Sequence, residues 1–300
     1  MPPLASRPSR LLTVLRTITP CLLKIKGGRR IVELAERCSV NSGDLLISNF
    51  LGNNHFWCQM NEHMSSHIFW RGVYSTEVVR YLARYARCDD VFLDVGANHG
   101  ELTIAAAALM PKGAVFALEP VSENFVRLNR NVYANRFSHV TPLQLGLANE
   151  AGFLPIYTHQ SKRSDGTLNK GLPSLYASSE RDSLVESVTL QRLDDFVAER
   201  GITRLDWIKL DVEGAELSAL QGGLSTLKRL RPKLLVEFNA DTCESAGYTV
   251  QHLALFIMGQ RYSLYALNEN GTVKTNKDGT SALLQVSDLP RFCNVLACPV

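Results

Sequence analysis

An open α/β sheet is the fold class this sequence predicts, on three observations. VFLDVGANHG, Val91 to Gly100, runs straight into ELTIAAAALM, and an apolar run, a glycine turn and a helix are how such a sheet presents a ligand site. Further apolar runs, GAVFAL, WIKL and RPKLLVEF, alternate with helical stretches, as successive strands and crossovers do. With 300 residues, 45% hydrophobic and 20% charged, the chain can bury a real core and has room for one large domain, alone or with an appended arm.

From the N-terminus, residues 1–30 read as a basic arm, mixing Arg, Ser, Pro and short apolar runs such as LLTVL. That run is too short for a signal-peptide core or a membrane span. A loosely ordered arm or packing helix is the plainest expectation. A peripheral membrane contact through Leu11, Leu12, Val14 and Leu15 is a second. A mitochondrial presequence, for which an acid-poor, Arg- and Ser-rich start is the signature, is a third. Residues 31–88 read as a cap: IVELAERCSV and GDLLISNF suggest a helix or strand pair over the sheet edge. Val78, Val79, Leu82 and Tyr85 then recur at helical spacing, with Ser75 or Thr76 as N-cap. Trp70 and Tyr74 precede that helix, either as core aromatics or as lining for a pocket.

Residues 89–300 read as the main domain. Val91, Phe92 and Leu93 form a short buried strand that Asp94 closes. Gly96 and Gly100 bracket the turn, with Ala97 and Asn98 between them. Glycine lets the backbone turn and approach a ligand, and the new helix aims its unpaired N–H groups at the same spot. GAVFALEP ends in Glu119 and Pro120. An acid about 20 residues past the glycine turn is placed to accept hydrogen bonds from a ribose hydroxyl pair. VSENFVRLNRNVYANR is helical, with Phe125, Leu128 and Val132 on one face. VTPLQLGLAN is a strand, and GFLPIYTHQ an antiparallel or edge strand because Pro155 cannot donate to a ladder. The polar stretch Ser161 to Asp182 reads as a lid or binding loop. SVTLQRLDDFVAERG gives a strand and helix. Trp207, Ile208 and Leu210 make a buried strand ended by Asp211, with Glu213 and Glu216 opening the next helix. RPKLLVEFN is a strand tipped by Glu237 and Asn239, TVQHLALFIMGQ a helix, YSLYALNENGTVK a hairpin around ENG, and FCNVLACP a last strand.

Counting from Gly96, the second and third glycine positions of a dinucleotide fingerprint hold Asn98 and Glu101, and no P-loop occurs. What remains, D-x-G-x-x-x-G followed by an acid on the second strand, suits S-adenosylmethionine (SAM), a nucleoside with no phosphate to cradle. Asp94 and carbonyls near the turn can meet its amine. An ordinary βα turn would share the glycines, but Glu119 favours a ligand. Seven scattered cysteines without a C-x-x-C argue against a disulfide framework or a cysteine zinc site, and for a reducing, cytoplasmic compartment. Net charge is +3, yet seven basic residues and no acid precede Glu33, leaving 25 basic against 29 acidic. A basic catalytic body for nucleic acid is therefore not expected.

FLDVGANHG, LEP, TLQRLDDF, WIKLDVEGAE and RPKLLVEF together resemble the FkbM-type SAM-dependent methyltransferases, over roughly residues 70–298. Asn98, where the generic turn has glycine, agrees with this family's pattern. The resemblance implies a class I, Rossmann-like, seven-stranded, mostly parallel sheet whose last strand is antiparallel. It also implies SAM as cofactor and a hydroxyl acceptor on a sugar, polyketide or similar small molecule. Cofactor contacts are expected from Tyr74, Asp94, Gly96, Ala97, Asn98, Gly100, Glu119 and Pro120.

Methyl transfer to a hydroxyl needs nucleophile and methyl held in line and a base for the proton. Asp211 and Glu213 are the expected catalytic pair. His99 is a helix-start filler or a base, and Lys209 would need a strongly lowered pKa to act as one. Two alternatives stand beside this: a Mg²⁺-assisted enzyme using oxygen ligands from Asp211, Glu213, Glu237 and Asn239, and a non-catalytic scaffold that binds a partner protein through its basic arm.

Overall fold

The computed structural model describes residues 7–158, 167, 173–176, 183–276 and 280–300; most of the expected lid, Ser161 to Asp182, lies outside them. Two helices, α1 (Arg10–Leu22) and α2 (Gly28–Ser39), lead into a hairpin of β1 (Asp44–Phe50) and β2 (Asn54–Gln59), then α3 (His63–Arg71) and α4 (Thr76–Tyr85). The main domain follows as β3 (Val91–Val95), α5 (Glu101–Leu109), β4 (Ala114–Leu118), α6 (Ser122–Asn135), β5 (Val140–Leu143), β6 (Gly146–Leu147), β7 (Gly152–Thr158) and β8 (Ser183–Gln191). Its second half is α7 (Leu193–Glu199), β9 (Trp207–Leu210), α8 (Glu216–Gln221), α9 (Leu224–Leu230), β10 (Lys233–Asn239), α10 (Ala240–Ser245), α11 (Val250–Gly259), β11 (Tyr262–Ala266) and β12 (Phe292–Pro299).

The central sheet has seven strands in the order β11-β12-β10-β9-β3-β4-β5. Its β3, β4, β5, β9 and β10 run parallel, and β12 inserts between β10 and β11 antiparallel to both. Strand side chains alternate between two apolar layers, as a sheet covered on both faces requires. Phe92, Trp207 and Leu235 join the layer that holds α4, α5 and the cap. Leu93, Ile208 and Leu234 join the layer under α7 and α11.

Several elements differ from expectation. The cap contains both a helix and a strand pair, and the pair packs on the helix layer instead of the sheet edge. Asn131 and Asn135 of α6 accept from the backbone N–H groups of Trp57 and His55, each at 2.7 Å, and the Arg130 guanidinium stacks 3.5 Å from the Trp57 ring centroid. Trp70 lies within α3, buried edge-to-face on Phe69. The helix α1 is docked: Arg16 donates to the Phe69 carbonyl at 2.8 Å, Thr19 is buried, and Leu12 and Leu15 pack into the core. Around ENG a tight turn forms, closed from Asn268 N–H to the Thr272 carbonyl at 2.7 Å, but the ladder partner of β11 is β12. The edge strand β7 pairs antiparallel with β8, with Pro155 opposite Ser187.

Candidate active site

The main cavity opens beyond the carboxyl ends of β3, β4, β9 and β10, where open α/β sheets bind ligands. Tyr74, Asp94, Gly96, Ala97, Asn98, Glu119, Pro120, Asp211, Glu213, Glu237 and Asn239 all lie in its wall. Gly100 does not. It precedes α5 at φ 91°, and a Cβ there would stand 2.7 Å from Leu128 Cδ1; its small size serves helix packing.

Gly96 joins the two halves of the site. Its φ is +81°, and an added Cβ would fall 2.0 Å from the Asp211 carbonyl oxygen. The close approach that demands glycine is therefore made by the end of β9. Asn98, also left-handed at φ 51°, donates its backbone N–H to Glu119 Oε2 at 2.8 Å, while Val121 N–H donates to Oε1 at 3.0 Å. Each Glu119 oxygen keeps further acceptor capacity for a hydroxyl pair. Burial pushes the Glu119 carboxyl up to about 7. Asp94 accepts from Thr103 Oγ1 at 2.6 Å, and burial raises it to about 6.

Glu101 is a wall residue that the sequence reading passed over as a failed glycine position. Its buried carboxylate accepts from the backbone N–H groups of Tyr74 and Ser75, tying the cap to the first turn of α5, and burial pushes it up to about 7. An acid in the first turn after the glycines was the available signal.

The segment DVEGAE departs from expectation. Helix α8 begins at Glu216, so Glu213 does not open it; Glu213 sits in the preceding turn at φ 53°. Glu216 holds that turn from within, accepting from Val212 N–H at 2.9 Å and Gly214 N–H at 3.0 Å, while the Tyr248 hydroxyl donates to the Gly214 carbonyl at 2.9 Å. Asp211 and Glu213 are thereby turned into the cavity. With Glu237 they form a group whose carboxylate oxygens lie within 4.8 Å of one another. Two like charges at that separation repel by about 3.5 kcal/mol at an effective dielectric of about 20. Burial, then the charges of Asp211 and Glu213, raise Glu237 well above the usual carboxylate range. Behind them lies Lys209, fully buried, 3.2 Å from Asp211 Oδ2. Burial alone would lower its pKa, but Asp211 and Glu237 more than offset this and raise it, so Lys209 is a fixed cation and no base. Asn239 Oδ1 caps α10, accepting from Asp241 N–H at 3.1 Å, and the residue lies in the cavity wall.

His99 is outside the cavity wall. It faces Ser65 Oγ at 3.0 Å, and burial holds it neutral by lowering it to about 3. From the expected lid, Pro173 and Leu175 reach the wall, and Ser174 Oγ donates to the Glu213 carbonyl at 2.7 Å. Six carboxylates, Asp94, Glu101, Glu119, Asp211, Glu213 and Glu237, thus line one cavity, and among the described residues no Lys, Arg or His does.

The strand order and the single reversed strand define a class I, Rossmann-like methyltransferase fold. The sequence model described as "Methyltransferase FkbM domain" matches residues 94–264, more than half the chain. The chain belongs to the FkbM methyltransferase family. It is 32% identical over 152 residues to methyltransferase sdnD of Sordaria araneosa, covering 43% of this chain and 59% of that one. It is 30% identical over 167 residues to hexuronic acid methyltransferase AglP of Haloferax volcanii, covering 55% and 62%. With 2-O-methyltransferase NoeI of Sinorhizobium fredii it shares 27% over 153 residues, covering 48% and 61%. The chain therefore spans about three-fifths of the length of these relatives. The cap, residues 31–88, lies outside the family match.

Proposed function

We propose that this chain is a SAM-dependent O-methyltransferase acting on a hydroxyl of a small molecule, with a sugar the leading class. The observation that carries the reading is the cavity's charge. A wall of six carboxylates, in which among the described residues no Lys, Arg or His takes part, suits a ligand bearing a sulfonium and an amine, and would repel the pyrophosphate of a dinucleotide. Leu147, Ile156 and Leu190 supply an apolar wall suited to a purine face. Asp94 would meet the amine and Glu119 the ribose hydroxyls. SAM, when bound, supplies an already activated methyl group.

For the acceptor, the chain must orient a hydroxyl and take its proton. Asp211 and Glu213 polarise that hydroxyl. Glu237, beside them, would accept the proton in its ionised form, while the hydroxyl oxygen gains the methyl group and the C–S bond of the sulfonium breaks. Two relatives are a 2-O-methyltransferase and a hexuronic acid methyltransferase, which supports oxygen and sugar as the target. Met64, Tyr74 and Ser75 complete the wall from the cap, which supports a part for that segment in acceptor choice.

One observation favours a second reading: three carboxylates within 4.8 Å could hold a divalent cation that binds the acceptor oxygen. Incubation with SAM and a panel of sugars and other hydroxyl compounds, followed by mass spectrometry, should find a product heavier by one methyl group. EDTA should leave the yield unchanged; loss on EDTA with recovery on Mg²⁺ would establish the metal reading. Methylation only of nitrogen or carbon compounds would overturn the hydroxyl acceptor.

A further inference from the structure

The geometry points to a membrane-docking face on α1 and α2: we infer that these two helices seat the protein on an anionic lipid surface. Each helix carries two apolar stripes, and only one of them is used for packing. In α1, Leu12 and Leu15 pack into the core while Leu11, Val14 and Ile18, at i, i+3 and i+7, are 68%, 56% and 40% exposed. In α2, Val32 is buried while Ile31 and Leu34, at i and i+3, are 50% and 63% exposed. Between the helices Leu23 and Ile25 are 40% and 59% exposed. Single exposed apolar residues are ordinary, but seven lie within 24 residues, five of them at helical spacing on α1 and α2 and two in the turn that joins the helices, and this is an unpartnered apolar surface.

The occupant follows from charge. Arg10, Lys24, Lys26 and Arg30 are interleaved with these apolar groups, are exposed, and make no ion pair among the described residues. Acids begin only at Glu33 and Glu36, and these are engaged by Arg29 and Arg71. Exposed apolar stripes flanked by unpaired cations match a bilayer interface, where the apolar groups enter the acyl boundary and the cations meet anionic headgroups. Of the four residues through which the sequence suggested a membrane contact, Leu12 and Leu15 pack inward and Leu11 and Val14 are exposed; the inferred face adds Ile18, Leu23, Ile25, Ile31 and Leu34. This inference does not depend on the proposed chemistry.

Vesicle co-sedimentation of the full chain tests it, comparing phosphatidylcholine alone with phosphatidylcholine containing about a third phosphatidylserine. The chain should partition on the order of tenfold more strongly to the anionic vesicles, and salt should weaken that binding. Lys24→Glu and Lys26→Glu should each reduce it roughly fivefold or more. Val14→Ser with Leu34→Ser, one from each stripe, should reduce it at least about tenfold with an unchanged melting curve, since neither side chain is packed. Absence of partitioning by the wild-type chain would overturn the inference. So would light scattering that finds a dimer dissolved by the Val14→Ser, Leu34→Ser pair, because the face would then belong to a second copy.

Discussion

Asp211→Asn and Glu213→Gln should each lower turnover on the order of 10²–10⁴-fold while leaving the protein folded. Both replacements keep size and lose only the charge that, in the proposed function, polarises the acceptor hydroxyl. Neither is a packing residue of the sheet. Asp211 follows β9, and Glu213 sits in a turn that Glu216 and Tyr248 hold from behind. SAM affinity should shift modestly for Asp211→Asn, through its contact with Lys209, and hardly at all for Glu213→Gln. The pH profile separates a catalytic role from a structural one. The charges of Asp211 and Glu213 help raise Glu237, so neutralising either one lets Glu237 ionise at lower pH. The acid limb of kcat/KM should therefore move to lower pH in both variants. Near wild-type turnover in both, with an unmoved acid limb, would exclude the pair from the chemistry.

Lys209→Met should cost about 3–5 kcal/mol of folding stability. The side chain is 1% exposed and its ammonium neighbours Asp94, Asp211 and Glu237. Methionine fills similar space but leaves buried carboxylates without their cation. Asp94 and Glu237, which burial already raises, can then remain in place only by holding protons, so their folded pKa values rise further above the ordinary values of 3.8 and 4.5. A native state that binds more protons than the unfolded state loses stability as pH rises between those limits. The deficit of the variant should thus be largest near pH 8 and shrink toward about pH 5. Urea unfolding at both pH values measures it; a deficit below about 1 kcal/mol at pH 8, or one that grows toward pH 5, would mean the ammonium is not the counter-charge of the site.

Local chemistry made half of this site readable from sequence. Asp94, Gly96 and Glu119 sit at strand ends next to a glycine turn, and strand ends are marked by where apolar runs stop. The other half depends on contacts between distant segments. That Gly96 is required by the Asp211 carbonyl is a meeting of residues more than a hundred positions apart. Glu213 was read as a helix start because acids suit that position, but a left-handed backbone at a non-glycine residue has no sequence signature. Glu101 counted in the sequence only as a failed glycine position, and its role shows in the cap backbone that ends on it. In α1 the apolar residues were visible, but which of two adjacent stripes faces the core depends on its partner helices. The seven strands were legible because period-2 burial on both faces leaves near-continuous apolar runs.

Calorimetric titration with SAM, its demethylated product and NAD tests the acid-lined cavity most directly. SAM and its product should bind and NAD should not. The bound cation favours ionised carboxylates, whereas burial, only partly offset by hydrogen bonds, raises Asp94, Glu101 and Glu119 to about 6, 7 and 7. Binding should therefore release protons near neutrality, and SAM affinity should fall as pH drops from about 8 to about 5, by up to roughly tenfold per unit for each group that must be deprotonated. The ligand's own amine stays cationic as pH falls, so it cannot produce that loss. Glu119→Ala should weaken SAM by about 1–3 kcal/mol. Binding of NAD without SAM, or SAM affinity that rises as pH falls, would contradict the assignment of this cavity to a cationic nucleoside.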